Sequence, residues 1–275
     1  MPSGKKSREL RRTGQGKTPP PVQSKGGPRG RQASPRALLI GGIVVLLVVL
    51  GIGLAFAFSG GGGGGGIPKN AQTTGSLANA LPGASDVNSM FKGIPQTGTT
   101  LGWPFAPVTL TEYLDLQCPI CQEFETQVLP DILQKYVRTK KIKIVVEPWA
   151  FIGNDSFRAQ AVMLAAAKQN KAFNFAEVLY DNQQTENTGW LTDNMLYNIA
   201  ASVPGMKIAP LFAERSSAAV KNAAAQIDAD VLANKVTGTP TIFVNRNGNQ
   251  LTYVPMANGL DETTLLKYLN AALAA

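Results

Sequence analysis

The sequence predicts an α/β domain in which a βαβ unit and a ββα unit are separated by a helical insertion. The βαβ unit is indicated by an alternating apolar pattern at 108–116, helical spacing from Pro119, and a second strand pattern at 141–149. The ββα unit begins with a short apolar run at 241–244. Between the two units, residues from about 154 to 235 have helical spacing almost throughout. A disordered tail and one transmembrane helix are predicted to precede the domain.

The N-terminal 36 residues form a basic tail. They contain ten Lys/Arg and one acid, Glu9, whereas residues 37–275 carry 16 Lys/Arg and 17 Asp/Glu. The tail is rich in Gly, Pro, Ser and Gln, which predicts disorder over 1–36. The formal charge of +8 therefore belongs to the tail. The remaining chain lacks the basic surface that nucleic-acid binding requires.

Residues 37–58 contain 22 consecutive residues without a charge. At about 1.5 Å per residue a helix of this length spans roughly 33 Å, which is enough to cross the hydrocarbon core. The adjacent basic tail predicts a cytoplasmic N-terminus, a single pass through the cell membrane and an extracytoplasmic domain. A cleaved signal peptide is the alternative, because 55–57 resembles a cleavage site. The long apolar stretch and long leader favour an uncleaved signal anchor.

Residues 59–104 are predicted to connect this anchor to the folded domain. The seven glycines at 60–66 form a flexible tether. The following residues show little apolar periodicity, and a short amphipathic piece near 86–91 leads into the domain. Residues 105–275 then have a length that suits one domain with a sizeable core.

The βαβ unit consists of a strand at 108–116, a helix from Pro119 to about residue 138, and a strand at 141–149. Proline is favourable in the first turn of a helix, where its missing N–H has no partner to lose. A strand, a helix and a strand in this order predict parallel pairing with a right-handed crossover.

The insertion and the ββα unit follow. Helices are predicted at 156–169, 171–182, 192–201 and 210–234. The strand at 241–244 continues through a turn at 245–249 to an antiparallel strand at 251–254, and Asp261 can cap a last helix at 262–273. The aromatic residues of this region are expected to pack the insertion against the sheet: Trp149, Phe151, Phe157, Phe173 and Phe175.

Cys118 and Cys121 are the only cysteines, and Pro119 and Ile120 separate them. A C-x-x-C pair whose first cysteine opens a helix is typical of thiol–disulfide exchange, because the helix N-terminus favours a thiolate. A structural zinc site needs four ligands, and the chain has no histidine and no other cysteine. An inert structural disulfide would leave the proline and the helix start unexplained. The pattern therefore favours a redox-active pair that needs no metal or cofactor.

Three segments carry a resemblance to a known family: LDLQCPICQEF at 114–124, GTPTIFV at 238–244, and the ββα ending. With them, residues 105–275 resemble the thioredoxin fold, and the helical insertion resembles its DsbA-like branch. The resemblance implies that Cys118 is the attacking thiol and Cys121 the resolving one.

The same resemblance implies roles for residues around the pair. Pro240 would follow a cis peptide bond after Thr239 and lie against the disulfide, leaving the Thr239 backbone to pair with an extended client segment. Pro119 and Ile120 would also contact the client. Glu112 would be a buried proton acceptor for Cys121, and burial would raise its pKa.

Alternatives remain open for several of these residues. Pro240 could be a trans proline that opens an edge strand, and Glu112 could face solvent. Asp115 and Glu123 are expected to be surface charges. The oxidising members often have a histidine between the cysteines, where this chain has Ile120. We therefore expect a less depressed thiol pKa and a less oxidising pair.

The leading functional hypothesis is a membrane-anchored, extracytoplasmic thiol–disulfide oxidoreductase. Its substrates would be cysteine-containing exported proteins, and the resemblance suggests a membrane redox partner of the DsbB or VKOR type. An extracytoplasmic reductase or isomerase is an alternative, because reduction potentials decide the direction of electron flow. A client-binding or chaperone module with a structural disulfide is the non-enzymatic alternative.

Overall fold

The computed structural model of the protein describes residue 68 and residues 70–275. The tail at 1–36, the transmembrane segment at 37–58 and the glycine tether at 60–66 lie outside the described residues. Within the described part of the chain, no helix combines the length and apolar character that crossing a membrane requires.

The described residues contain one mixed sheet with the strand order β1-β2-β4-β3-β5-β6. Its strands are β1 (Gln96–Thr97), β2 (Thr100–Leu101), β3 (Val108–Leu114), β4 (Ile142–Pro148), β5 (Thr241–Arg246) and β6 (Thr252–Tyr253). The central strand β3 is parallel to β4 and antiparallel to β5, so that Leu110 lies opposite both Ile144 and Val244. This arrangement confirms the predicted βαβ and ββα units.

The hairpin formed by β1 and β2 was not predicted. Leu101 pairs with Ile144 of β4, which adds the hairpin to the edge of the sheet. The sheet therefore starts ahead of the domain boundary that the sequence predicts at residue 105. Each of these strands has only two residues, too few to produce the alternating pattern that reveals a strand.

The helices largely follow the predicted spacing. They are α1 (Ala84–Phe91), α2 (from Pro119 to Val137), α3 (Asn154–Ala167), α4 (Ala172–Asp181), α5 (Asp193–Ala201), α6 (Ile208–Glu214), α7 (Ala218–Ala233) and α8 (Glu262–Ala274). The last helix is capped as predicted, since the Thr264 N–H donates to Asp261 Oδ1 at 3.0 Å.

One predicted helix is two. The segment at 210–234 divides into α6 and α7, because α6 ends at Glu214 and α7 begins after an N-cap at Ser217. Its hydroxyl accepts a hydrogen bond from the Val220 N–H at 3.1 Å, which is the geometry of a helix N-cap. The alanine-rich composition on both sides conceals this break.

Helix α2 is continuous but not uniform. Its segments Pro119–Glu123 and Leu129–Ile132 are α-helical, whereas Phe124–Val128 and Leu133–Val137 have the wider π-type turn. Pro130 lies just after the first wide segment and has no N–H to donate into the helix. Wide turns of this kind often occur at functional sites.

The insertion shares one core with the sheet. In α4, all residues from Ala172 to Tyr180 are buried, and Phe173 packs edge-on against Phe91 of α1 at a ring distance of 6.1 Å. Strand β3 is buried along almost its whole length. The turn that follows β3 is therefore held between the sheet and the insertion.

Candidate active site

Asp115 fixes the turn between β3 and α2. Its carboxylate accepts hydrogen bonds from the backbone N–H groups of Gln117 at 2.8 Å, Phe151 at 2.9 Å and Ile152 at 3.1 Å. The Ser156 hydroxyl donates to it at 2.7 Å. The expectation of a surface charge is wrong, because these donors replace water around a carboxylate that is 1% exposed.

Gln117 connects the same turn to the insertion and is fully buried. Its amide donates to the Ser156 hydroxyl at 2.8 Å and accepts from the Asn187 N–H at 2.9 Å. Its backbone carbonyl accepts from Gln183 at 2.7 Å. The helical insertion thus holds the backbone that leads into the two cysteines.

The two cysteines differ in exposure and position. Cys118 is the N-cap of α2, and its sulfur accepts a hydrogen bond from the Cys121 N–H at 3.4 Å. Both residues are free thiols. Cys121 is 0% exposed, whereas Cys118 is 6% exposed and the next residue, Pro119, lies on the surface. Reagents outside the protein can therefore reach the first sulfur before the second.

The pKa values of the two thiols are shifted in opposite directions. A hydrogen bond from the Cys121 thiol lowers the pKa of Cys118 to about 6, against the opposing effect of burial. The backbone N–H groups of Cys121 and Ile120 contribute in the same direction. Burial raises the pKa of Cys121 well above its usual value. The first thiol can thus become a thiolate near neutral pH without any histidine.

The loop before β5 faces the first cysteine. The Thr239–Pro240 peptide bond is cis, as predicted, so the alternative of a trans proline is wrong. The Cys118 sulfur lies 3.4 Å from the Thr239 carbonyl oxygen. Strand β5 is inside the sheet, between β3 and β6, and does not form an edge.

The first cysteine caps a helix and lies opposite a cis-proline loop, and the sheet is built from a βαβ and a ββα unit. The comparison with known families agrees with these features. A family model described as Thioredoxin matches residues 95–256, which is more than half of the chain. The chain belongs to the thioredoxin family.

Individual relatives within this family point to disulfide chemistry. A probable disulfide bond formation protein D of Bacillus cereus is 27% identical over 169 residues, covering 60% of this chain and 78% of that protein. Disulfide bond formation protein D of Bacillus subtilis is 27% identical over 150 residues, covering 53% and 66%.

Solved structures share the fold at lower identity. Oxidised BdbD from Bacillus subtilis superposes with a TM-score of 0.58 at 21% identity, covering 75% of this chain and 100% of that chain. Wolbachia pipientis alpha-DsbA1 gives 0.54 at 20% identity, covering 66% and 92%. These superpositions show a shared fold. The family match, the relatives named for disulfide bond formation and the dithiol geometry together identify a DsbA-like thiol–disulfide oxidoreductase.

Gly259 is a residue of this thioredoxin site that the sequence analysis missed. A Cβ atom on it would lie 2.9 Å from Ile120 Cγ2 and 3.0 Å from Pro240 Cδ. Its φ of +73° also favours glycine. The short 3₁₀ turn Ala257–Gly259 therefore approaches the site closely, between the residue inside the dithiol motif and the cis proline.

Glu112 lies on β3 beneath the site, and it is 1% exposed. The alternative of a solvent-facing side chain is wrong. Burial raises its pKa, and Glu125 and Cys118 raise it further. Glu125 was not predicted, although its place one helical turn after Cys121 puts it on the same face of α2. The described residues contain no group of His, Cys, Asp and Glu suited to a metal ion.

Aromatic side chains lie beside the Asp115 turn. Trp149 and Phe151 stack with ring centroids 4.3 Å apart, and Phe151 is 43% exposed. Phe157 is 39% exposed. Phe173 and Phe175 are buried, as expected, whereas Phe151 and Phe157 keep much of their surface in solvent instead of only packing the insertion on the sheet.

Proposed function

We propose that this thioredoxin-family protein introduces disulfide bonds into cysteine-containing exported proteins. The proposal rests on one observation, the difference in exposure and in pKa between the two cysteines. Cys118 keeps 6% of its surface exposed and its thiolate is stabilised, whereas Cys121 is fully buried and burial raises its pKa. A stabilised thiolate favours the reduced protein, so the disulfide form tends to accept electrons from a client.

In the proposed reaction, a client thiolate attacks the Cys118 sulfur of the oxidised protein. The bond between the two sulfurs breaks, and its electron pair leaves with Cys121. A second client thiolate then attacks the client sulfur of the mixed disulfide, which forms the client disulfide and releases Cys118 as a thiolate. Two electrons pass to the protein, and Cys121 takes up one proton, for which Glu112 is the proposed donor.

The surroundings of Cys118 support binding of an extended client segment. Thr239 and Pro240 border the sulfur, and backbone pairing with such a loop resembles addition of a strand. Exposed Pro119 and half-buried Ile120 flank the other side. The stacked pair Trp149 and Phe151 offers apolar area for client side chains.

We also propose that residues 37–58 anchor the protein in the cell membrane, with the tail in the cytoplasm and the catalytic domain outside. The apolar length and the basic tail support this orientation. A membrane redox partner of the DsbB or VKOR type would then reoxidise the dithiol. Labelling of Cys118 in intact cells by a membrane-impermeant thiol reagent tests the orientation, and protection of the thiol until lysis contradicts it.

Oxidation of a reduced client protein tests the reaction. We expect Cys118→Ser to abolish client oxidation, and Cys121→Ser to accumulate a mixed disulfide through Cys118. The double variant is the control for disulfides that form in air. If neither single variant differs from the unaltered protein and no mixed disulfide accumulates, the proposal is wrong and a binding module with a structural disulfide is favoured.

The reduction potential of the dithiol decides whether the protein oxidises or reduces its clients. We expect a value clearly less negative than the roughly −270 mV of thioredoxin, because the Cys118 thiolate is stabilised. A potential at or below that value favours the alternative function, an extracytoplasmic reductase. Equilibration with glutathione buffers of known ratio measures it.

A further inference from the structure

A cavity of about 400 Å³ lies where α1, α2 and α4 meet. Neither cysteine lines it, and neither does the loop that contains Thr239 and Pro240. The cavity is therefore separate from the surface on which a client would contact Cys118. Its volume falls within the range of about 300–1,000 Å³ that is usual for small-molecule sites, so it can hold a small organic ligand.

Acidic side chains dominate the lining of this cavity, and none of its lining residues is Lys or Arg. Five carboxyl groups contribute: Asp86, Glu125, Asp131, Glu177 and Asp181. Lys135 pairs with Asp131 at the surface. In the described part of the chain, no ion pair joins a Lys or Arg to any of the other four acids. The uncompensated negative charge favours a cationic ligand.

The inner part of the cavity presents an acceptor without a partner. Glu177 is 2% exposed, and its Oε1 atom is buried and accepts no hydrogen bond. Burial raises the pKa of Glu177, which reflects the unfavourable surroundings of this carboxyl when no donor is bound. A ligand that donates a hydrogen bond to Oε1 would remove this penalty. The inner position therefore suits the charged donor group of a ligand.

The outer part of the cavity has a second pair of carboxylates. Asp86 belongs to the first turn of α1 and Asp181 is the last residue of α4, and both are exposed. Burial raises the pKa of Asp181 and the charge of Asp86 raises it further, so the two like charges lie close together. A second cationic group at the rim would offset this repulsion.

The wall between the two positions is apolar. Val87 and Met90 of α1 and Pro130 of α2 form it. Glu177 and Asp181 are one turn apart on α4, which separates them by roughly 6 Å along the helix axis. Among the described residues, no group of His, Cys, Asp and Glu is suited to a metal ion. The arrangement fits an elongated organic cation with a charge at each end and methylene groups between them.

We propose that this cavity binds a linear aliphatic diamine of the putrescine and cadaverine type. One ammonium group donates to Glu177 Oε1, and the other lies between Asp86 and Asp181 at the rim. The methylene chain packs against Val87 and Met90. An ammonium group has three donors and no acceptor, which matches a site whose charged side chains are all carboxylates. This inference goes beyond the proposed function and does not depend on it.

Isothermal titration calorimetry of the full-length protein in a non-ionic detergent tests the proposal with cadaverine as the probe. A salt concentration of about 0.15 M screens weak attraction to the surface. We expect saturable binding at one site per chain. Pentylamine has the same carbon chain with a single ammonium group, and we expect its affinity to be at least about fivefold lower. Absence of saturable cadaverine binding, or equal affinities for the two amines, would overturn the proposal.

The inner position is tested by Glu177→Gln, which keeps the shape of the side chain but removes its negative charge. We expect this variant to bind cadaverine about tenfold more weakly than the unaltered protein. Glu186→Gln is the matched control, because it removes one acidic charge from an exposed position outside the cavity. Equal affinities in the two variants would show that cadaverine responds only to overall charge, and the proposed site would be wrong.

Ser89→Lys supplies a second test that leaves every buried residue unchanged. Ser89 is exposed on α1 and lines the cavity, so a lysine there can place its own ammonium group among the carboxylates. We expect this variant to lose cadaverine binding. Ser85→Lys is the matched control, because it adds the same charge to an exposed position of α1 outside the cavity lining, and it should retain binding. Equal binding in the two lysine variants contradicts a diamine site in this cavity.

Discussion

The sulfur of Cys118 lies 3.4 Å from the carbonyl oxygen of Thr239, although 121 positions separate the two residues in the chain. The contact joins the start of α2 to the loop before β5. The sulfur therefore has helix N–H groups on one side and the cis-proline loop on the other. The sulfur whose thiolate is stabilised is therefore also the atom that contacts the cis-proline loop.

The first prediction concerns the pH dependence of this sulfur. The rate of Cys118 alkylation should rise with pH through a midpoint of about 6 and level off near neutral pH, because only the thiolate reacts. Cys121→Ala should move the midpoint upward, since it removes the thiol hydrogen bond that contributes most. Mass spectrometry of iodoacetamide-treated reduced protein measures both. A midpoint at the ordinary value of about 8.5 in the unaltered protein would contradict the prediction.

The second prediction concerns Gly259. Gly259→Ala should slow the exchange reaction by a factor on the order of ten, because the new methyl group displaces Ile120 and Pro240 from the site. Gly248→Ala is the matched control, with a similar φ of +78° and no atom within 4 Å. Both variants should lose about 1 kcal/mol of unfolding free energy from the unfavourable backbone conformation. Equal exchange rates in the two variants contradict the prediction.

The third prediction concerns Asp115. Asp115→Ala should reduce the free energy of unfolding by about 3 kcal/mol, because it leaves several buried donors without an acceptor. Urea denaturation of the reduced protein measures this loss. Asp131→Ala, which removes an exposed carboxylate paired with Lys135, should change it by less than about 1 kcal/mol. Similar losses of unfolding free energy in both variants would show that the hydrogen bonds of Asp115 contribute no more to stability than an exposed ion pair.

The fourth prediction concerns the effect of the buried Glu112 carboxyl on the free energy of unfolding. The folded-state pKa of Glu112 is raised, so its contribution to stability is complete in acid and is lost as pH rises above the unfolded value of about 4.3. Glu112→Gln has no proton to lose. It should therefore increase the free energy of unfolding at neutral pH by about 1 kcal/mol and leave it unchanged in acid.

Urea denaturation at both pH values measures the effect of Glu112→Gln. The comparison is Glu123→Gln, which changes a half-buried acid on α2. The same Glu112 variant should slow attack by Cys121, since the neighbouring proton acceptor is gone. A variant that is less stable at neutral pH than the unaltered protein is incompatible with the predicted sign.

Local signals account for what could be predicted from the sequence. The alternation in β3 and the Cys-Pro pair at a helix start each extend over only a few neighbouring residues. The cis bond before Pro240 was predicted because a family motif carries it. The break at Ser217 and the two-residue strands β1 and β2 lack such signals, because composition on either side of them does not change.

The burial of Asp115, Glu125 and Glu177 could not be predicted in the same way. The Asp115 carboxylate is stabilised by partners that lie on other elements, such as the Phe151 N–H. Nothing in the surrounding sequence distinguishes these acids from Glu123, which is half-exposed.

The sequence by itself determined the chemistry of this protein: a single dithiol at a helix start, no histidine to assist it, and the order of strands and helices around it. Only the tertiary structure decided that Asp115, Glu125 and Glu177 lose their water and that Gly259 approaches Ile120 and Pro240. The physical reason is that burial and hydrogen bonding depend on groups from distant parts of the chain. Gly259 reaches the site through folding, and it leaves no periodic pattern beside the cysteines.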